Sequence, residues 1–562
     1  MKVGGFVCKL PYGESDYVKL KKQGFVYVDK TMYIEKLERD KSFIHFLRPR
    51  RFGKSLFTSM LGCYYDIALC DEFDELFKDT YIHEHPTKEK NGYYILNFNF
   101  AGFTGKQGKE LEQEFNEKVQ EGIKNCIEKY QFPVNVRDNA SAARMLSRFI
   151  SEMQYKAKDG YFYVIIDEYD HFANDLLSFQ FDEFTNVMGS NGYVRAFYEE
   201  LKNGTQKGIG RIFVTGVSPI SLDSMTSGYN ISTNLSLDPR YNEMMGFTSD
   251  EVNRLLSMID TIANPQDTLQ EMKQHYDGYR FSKLADKHIF NPNMALYYLD
   301  SYQSMGNPPE ELTDPNILSD YRKIENLLTI KPDKKQRDAL MSIISDNTIS
   351  CILTASYDLS QRFTKADFIS LLYYLGYLTI AGSSLDEMIL KVPNDVIKSV
   401  YFDYFNSMLE KEYHIETDDY STALKKILFD KDNTLFVEKI EEIMHSLDNR
   451  DYIGFRENDV KLIAMSIVQT SKFIYVKSEY PVPNGYIDLV FFPYHTEGAT
   501  VLIELKYIKA KDFSEQVLKE NRDKAYAQLQ NYKQAREFQE IDVVKWILIF
   551  SKDTCVWNET VA

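Results

Sequence analysis

The apolar run Phe43-Ile44-His45-Phe46-Leu47 passes directly into Arg48-Pro49-Arg50-Arg51-Phe52-Gly53-Lys54-Ser55, and this junction restricts the fold of the 562-residue chain more than any other feature. A short run of this kind predicts a buried strand. A glycine, a lysine and a hydroxyl residue just after it predict a phosphate loop that opens a helix. The loop backbone and the helix N-terminus present N–H groups to phosphate, Lys54 reaches the terminal phosphates, and Ser55 holds magnesium. Arg51 and Phe52 lie in the same loop, so residues 51–55 form the candidate nucleotide-binding segment. The pattern departs from G-x-x-x-x-G-K-[ST] at its first glycine, where this chain has Arg48.

A second segment supplies acids. Tyr161-Phe-Tyr-Val-Ile-Ile166 ends in Asp167-Glu168, the form of a buried parallel strand that delivers carboxylates to its C-terminal edge. Asp167 is the candidate magnesium ligand, and Glu168 the candidate for polarising an attacking water. A third strand, Arg211–Thr215, ends in a hydroxyl placed to sense the terminal phosphate. With Tyr93–Phe100, these strands alternate with amphipathic stretches such as Glu110–Tyr130. From Tyr27 to about Asp238 the pattern therefore predicts a parallel sheet covered by helices on both faces, with phosphate bound at the carboxyl ends of its strands. Past Asp238 helices take over. Thr248-x-x-Glu251 is a capping box, and the helical runs to about Asp300 suit a lid.

Two later strands also carry acid where packing alone would not place it. Gly485-Tyr-Ile-Asp488-Leu-Val is followed by Val501-Leu-Ile-Glu504-Leu-Lys506. The two-residue repeat of a strand projects Glu504 and Lys506 from one face, and a neighbouring strand brings Asp488 beside them. Paired carboxylates bind a hard divalent cation through oxygen, and the ammonium positions or activates water for attack on a phosphodiester. Asp488 and Glu504 are thus the candidate metal ligands, with Lys506 as their catalytic partner. The surrounding order is a helix containing Glu457, strands near Lys472–Tyr480, Tyr486–Phe492 and Thr500–Lys506, a helix Phe513–Gln534 and a strand Val544–Phe550. Upstream, Thr364–Leu375 reads as a helix leading to a hairpin, Gly376–Ile380 and Glu387–Val392, in the manner of a winged helix. Its turn is acidic, with Asp386 and Glu387, which favours a structural role over DNA contact.

Composition bounds these readings. The length predicts about three to four domains. A net charge of −17 disfavours wholesale attraction to nucleic acid and leaves such contact to local basic patches. Six cysteines without C-x-x-C spacing suggest neither zinc nor disulfides and fit a reducing cytosol. No apolar stretch approaches the roughly 18 residues of a membrane span, and no basic-then-apolar leader opens the chain. The expectation is a cytoplasmic protein without membrane contact.

Taken together, Val28-Asp29-Lys30-Thr31, the Arg-Pro-Arg-Arg-Phe-Gly-Lys-Ser loop, Ile166-Asp-Glu-Tyr-Asp170, Thr215-Gly216-Val217, Tyr276-Asp-Gly-Tyr279 and Phe290-Asn-Pro292 resemble the bacterial AAA-ATPase-like family. The C-terminal segment resembles the PD-(D/E)XK nuclease superfamily. The likeness implies an α/β multidomain protein: a P-loop AAA+-like core over 1–240, a helical lid over 241–310, a helical and winged-helix-like region over 311–450, and a restriction-endonuclease-like αβββαβ domain over 451–562. In that family arginine stands where the first glycine is expected, which accounts for Arg48. The likeness carries over Lys54 and Ser55 as phosphate and magnesium residues, Asp167 and Glu168 as the acidic pair, and Asp488, Glu504 and Lys506 as the nuclease triad. Gln528 and Glu457 match further polar positions, and Ile487 replaces the proline usual before the aspartate.

The resulting expectation is an enzyme that hydrolyses ATP with Mg2+ and cuts DNA, or RNA, with Mg2+ or Mn2+; nucleotide binding would close the lid and change the exposure of the nuclease domain. Nucleic acid is the expected partner, and self-association to a homo-oligomer stays open. The alternative is a nucleotide-switched sensor or scaffold with an inactive, partner-binding nuclease fold. Arg50 and Arg51 suit either phosphate or surface acids. Arg211 and Arg240 read as structural before they read as transition-state arginines, and Tyr276, Tyr279 and Phe281 as lid packing. The nine histidines form no ligand pattern.

Overall fold

Four of the five residues Phe43–Leu47 are buried, and the strand they form, β1, lies inside a five-stranded sheet. The computed structural model describes residues 8–103, 108–135, 140–154, 161–171, 192–219, 231–315, 334–355, 364–413, 420–447, 455–471, 473–483, 485–494, 497–531, 538–539 and 541–561. The end of the helix expected to reach Gln534 falls outside them. Two units arise from internal contacts, Met1–Ala339 with Thr348–Asp395, and Leu340–Asn347 with Val396–Ala562.

In the first unit β1 is followed by α1 (Lys54–Tyr65), β2 (Tyr93–Asn99), α2 (Gly108–Tyr130), α3 (Ala142–Met153), β3 (Tyr161–Asp167), α4 (Tyr193–Gly204), β4 (Ile209–Gly216) and β5 (Thr233–Asn234). The strands pair in parallel in the order β2-β3-β4-β1-β5. Burial follows position. Interior strand β3 buries six of its seven residues, whereas edge strand β2 buries Leu96 and Phe98 and exposes Asn97 and Asn99. Helix α1 packs Phe57, Met60, Leu61 and Tyr64 into the same core as Ile44, Phe46, Tyr163, Ile165 and Phe213. Each such side chain contributes roughly 1.5–3 kcal/mol on burial. That packing fixes where α1 begins, and so where the phosphate loop ends.

The lid helices are α5 (Ser249–Ser257), α6 (Pro265–Tyr276) and α7 (Pro292–Met305). The expected capping box is present: the Thr248 hydroxyl accepts the Glu251 N–H, and the Glu251 carboxylate accepts the Thr248 N–H at 2.7 Å. Asn291 caps α7 by accepting from the N–H groups of Asn293 and Met294, and Pro292 takes the first helical position, where no N–H is needed. The winged-helix-like part comprises β6 (Thr348–Cys351), α8 (Lys365–Tyr374), β7 (Thr379–Ser384) and β8 (Glu387–Lys391), with an antiparallel sheet ordered β6-β8-β7. Its hairpin is tighter than expected, because Ser383 and Ser384 already pair with Met388 and Glu387. Gly376 has φ +88°, and a Cβ there would lie 2.8 Å from the Pro49 Cβ. Only glycine lets this segment rest on the phosphate loop.

The second unit contains α9 (Thr434–Ser446), α10 (Glu457–Gln469), β9 (Ile474–Val482), β10 (Gly485–Pro493), β11 (Thr500–Ile508), α11 (Glu515–Asn531), β12 (Val543–Ser551) and β13 (Thr554–Val561). The sheet runs β13-β12-β11-β10-β9; β11 and β12 are parallel and the other pairs antiparallel. The expected αβββαβ order is extended by β13. As an edge strand it carries polar and exposed residues, such as Asn558 and Thr560, that mask its strand pattern.

Candidate functional site

The phosphate loop is fastened from beneath by Arg48, which is 1% exposed. Its guanidinium donates to the carbonyls of Leu47, Ser236 and Tyr241 at 2.8, 2.8 and 2.9 Å. It also lies 4.1 Å from the ring centres of Phe46 and Phe281. Burial pushes its pKa down to about 9, which leaves it charged at neutral pH. The residue that replaces the usual glycine therefore bolts the loop to the sheet and the lid. Phe52 adds a second attachment, packing edge-on against Tyr279 and Phe281 at 4.9 and 5.3 Å. Tyr276, Tyr279 and Phe281 are all buried in lid packing.

Above this anchor the chain turns sharply. Arg51 and Gly53 have φ of +68° and +85°, and Gly53 tolerates that conformation as the residue preceding α1. Lys54 follows, 4% exposed, with Nζ 3.2 Å from the Pro49 carbonyl and 3.8 Å from Glu168. Ser55 hydrogen-bonds Asp167. Burial raises the Asp167 pKa, and the neighbouring Glu168 raises it further against the pull of Ser55 and Lys54. Glu168 has φ +54°, a left-handed conformation that is strained for a residue other than glycine. Asp170 accepts from the N–H groups of Val217 and Ser218 at 3.0 and 2.7 Å, tying the ends of β3 and β4 together.

These elements surround a cavity of about 470 Å3. Its lining includes the polar residues Lys54, Ser55, Glu168, Asn99 and His171 with Gly53, and apolar residues including Val26, Met244, Phe247, Leu255 and Leu296. Thr215 is placed apart from the other candidate phosphate residues: it is fully buried, and its hydroxyl donates to the Phe46 carbonyl at 2.7 Å. Arg211 sits at the amino end of β4, paired with Glu89, and Arg240 pairs with Asp40 and Asp238. Asn99 and His171 escape the sequence patterns. Asn99 ends β2 directly beside Asp167, and the rule that parallel strands deliver polar groups at their carboxyl ends would have found it. Lys30 joins the lid by donating to Glu251 at 2.7 Å, which gives the Val28–Thr31 motif a structural role.

In the second unit Asp488 and Glu504 come to one place on adjacent antiparallel strands, next to the paired Leu489 and Ile503. Both are buried. Lys506 Nζ lies 3.2 Å from Asp488 and 3.5 Å from both Glu504 and Glu457. Lys461, on α10, lies 2.6 Å from Asp488 and 2.6 Å from Glu479. Burial favours a raised Asp488 pKa, but Lys506 and Lys461 outweigh it and hold the carboxyl below its ordinary value. Burial raises the Glu457 pKa against Lys506. For Lys506, burial is outweighed by Asp488, Glu457 and Glu504, which raise its pKa. Gln528 is half-buried on α11, between the buried Ala525 and Leu529. Lys461 and Glu479 also escape the sequence patterns. The available signal is Lys461 placed four residues after Glu457 on a helix whose next seven residues are all buried.

Residues 11–226 match the family model described as Predicted AAA-ATPase, and residues 455–560 match that of the PD-(D/E)XK nuclease superfamily. The chain joins an AAA-ATPase-like domain to a PD-(D/E)XK nuclease-superfamily domain. A curated relative, an uncharacterized protein in the vnfD 5′ region of Azotobacter chroococcum mcd 1, is 25% identical over 373 residues, 66% of this chain. The match spans 64% of that relative's length. A Walker-type ATPase of Pyrococcus abyssi aligns with a TM-score of 0.36 and 14% identity over 66% of this chain and 94% of its own. The Aeropyrum pernix ORC2 protein, in ADPNP–ADP complexes, aligns with a TM-score of 0.34 and 12% identity over 70% of this chain and 98% of its own. Among the described residues no helix of the AAA-ATPase-like or nuclease-superfamily parts is long and apolar enough to cross a membrane.

The anchoring role of Arg48 has a measurable consequence. Arg48→Ala leaves three buried carbonyls without their donor and is expected to cost roughly 3 kcal/mol, seen as a lower urea midpoint for the first unit. Arg48→Lys keeps the charge without the three-way fork and should recover little of it. An unchanged midpoint in Arg48→Ala would contradict the role.

Proposed function

We propose that the chain binds and hydrolyses ATP at the first site and cleaves nucleic-acid phosphodiesters, DNA in preference to RNA, at the second. The observation that carries this is convergence: Lys54, Ser55 and Glu168, from a phosphate loop and a non-adjacent strand end, line one cavity that is also lined by apolar side chains. Its volume of about 470 Å3 falls in the range of small-ligand sites. In this reading the apolar lining takes the base and the N–H groups at the start of α1 take the phosphates. The domain limits 1–240, 241–310, 311–450 and 451–562 belong to the same proposal.

The donor sets suit magnesium: the Ser55 hydroxyl with Asp167 in one unit, the Asp488 and Glu504 carboxylates in the other, oxygen throughout. Such an ion needs only one or two carboxylates, because it keeps several of its waters. When bound, it supplies charge neutralisation at phosphate oxygens and a more acidic water. Lys54 holds the terminal phosphates, and Glu168 accepts a proton from the attacking water. In the second unit Lys506 stabilises the charge that develops on the phosphodiester oxygens. Asp488 and Glu504 are the residues that would hold the ion there.

A second reading, a nucleotide-switched scaffold, is favoured by the net charge of −17. Two substitutions separate the cases. Lys54→Ala is expected to abolish ATP turnover, measured as phosphate release; full turnover would reject the phosphate-loop assignment. Asp488→Ala is expected to remove magnesium- or manganese-dependent cutting of single- and double-stranded DNA and RNA while leaving ATP turnover in place. If wild type cuts none of these with either ion, with and without ATP, the scaffold reading takes over.

A further inference from the structure

Lys461 bears on how the second site receives its cation, a role that rests on the nuclease reading of that site. The residue is 7% exposed on a helix whose following residues, Leu462–Val468, are buried. Three carboxylates surround its ammonium: Asp488 Oδ1 at 2.6 Å, Glu479 Oε1 at 2.6 Å and Glu457 Oε1 at 3.6 Å. The two oxygens of Asp488 are divided between different donors. Oδ2 accepts the Leu505 N–H at 2.9 Å and faces Lys506 at 3.2 Å. Oδ1 faces Lys461. With Oδ2 already facing two donors, Oδ1 is the oxygen that Asp488 has left to offer a divalent cation, and it is the atom that Lys461 holds.

Glu479 provides the complementary feature. Its neighbours Ser478 and Tyr480 pair with Leu489 and Ile487, on either side of Asp488. The backbone of Glu479 has φ +50°, a strained conformation for this residue type. Its side chain is 57% exposed, so its carboxylate meets Lys461 from the solvent side rather than from the buried core. Lys461 therefore has a partner that remains when Asp488 is taken.

We propose that Lys461 is an internal competitor for the divalent cation: without metal its ammonium occupies Asp488 Oδ1, and cation entry requires it to withdraw onto Glu479. The device keeps the paired acids neutralised and raises the cation concentration at which the site loads. Glu479 is then a positioning residue, holding the displaced ammonium within the site.

The test is Mn2+ binding to the full-length protein by isothermal titration calorimetry, without nucleotide or nucleic acid, with Asp488→Asn identifying the site. Lys461→Met removes the charge and keeps the chain length; it is expected to bind Mn2+ about tenfold more tightly than wild type. Lys461→Arg keeps the charge and is expected to resemble wild type. Circular dichroism checks folding, and Lys461→Gln serves as a second neutral variant. If Asp488-dependent binding is present and both neutral variants bind no more tightly than wild type, the competitor role is overturned while the metal reading survives. If no protein shows Asp488-dependent binding, the metal reading itself fails and the proposal with it.

Discussion

Carboxylates gathered on neighbouring strands repel one another by about 4 kcal/mol at about 4 Å and an effective dielectric near 20, and both units of this chain gather them. Each answers the repulsion with lysine. In the first unit Lys54 lies 3.8 Å from Glu168, and Asp167 is steadied by Ser55. In the second, Lys506 and Lys461 share Asp488. Asp167 and Asp488 are buried alike, and the two units differ in their second acid. Glu168 keeps part of its side chain in solvent, whereas Glu504 is fully buried and Asp488 nearly so. Desolvated charge is costly unless it is paired.

The first unit solves a second problem, that of fastening the loop that precedes α1. Arg48 and Phe52 do this from the loop itself, one by three hydrogen bonds and the other by aromatic packing. Pro49 receives the close approach of Gly376. The phosphate loop is thus in contact with the sheet, the lid and the winged-helix-like part within one unit. A change in the loop has a direct packing route to each of them.

The sheet of the first unit was legible because buried parallel strands are continuous apolar runs, and Phe43–Leu47, Tyr161–Ile166 and Arg211–Thr215 are such runs. The capping box at Thr248 was legible from an equally local pattern. The two-residue β5 was too short to show a period, and edge strand β13 alternates too weakly. At the sites, the acids stood out because charge interrupts an apolar strand at Asp167, Asp488 and Glu504. Lys461 did not, because a lysine on a helix reads as solvent-facing until the sheet packed against it is known. Thr215 shows the converse: a hydroxyl at the right strand end, spent on the Phe46 carbonyl.

In the proposed function the oxygen ligands of each unit hold a divalent ion against a phosphate. Anomalous diffraction from crystals soaked with Mn2+ and a non-hydrolysable ATP analogue measures this directly. The expected result is one peak between Ser55 and Asp167 beside the analogue's phosphates, and another at Asp488 Oδ1 and Glu504. Manganese absent from both positions at saturating concentration, or bound elsewhere with these carboxylates still on their lysines, would contradict it.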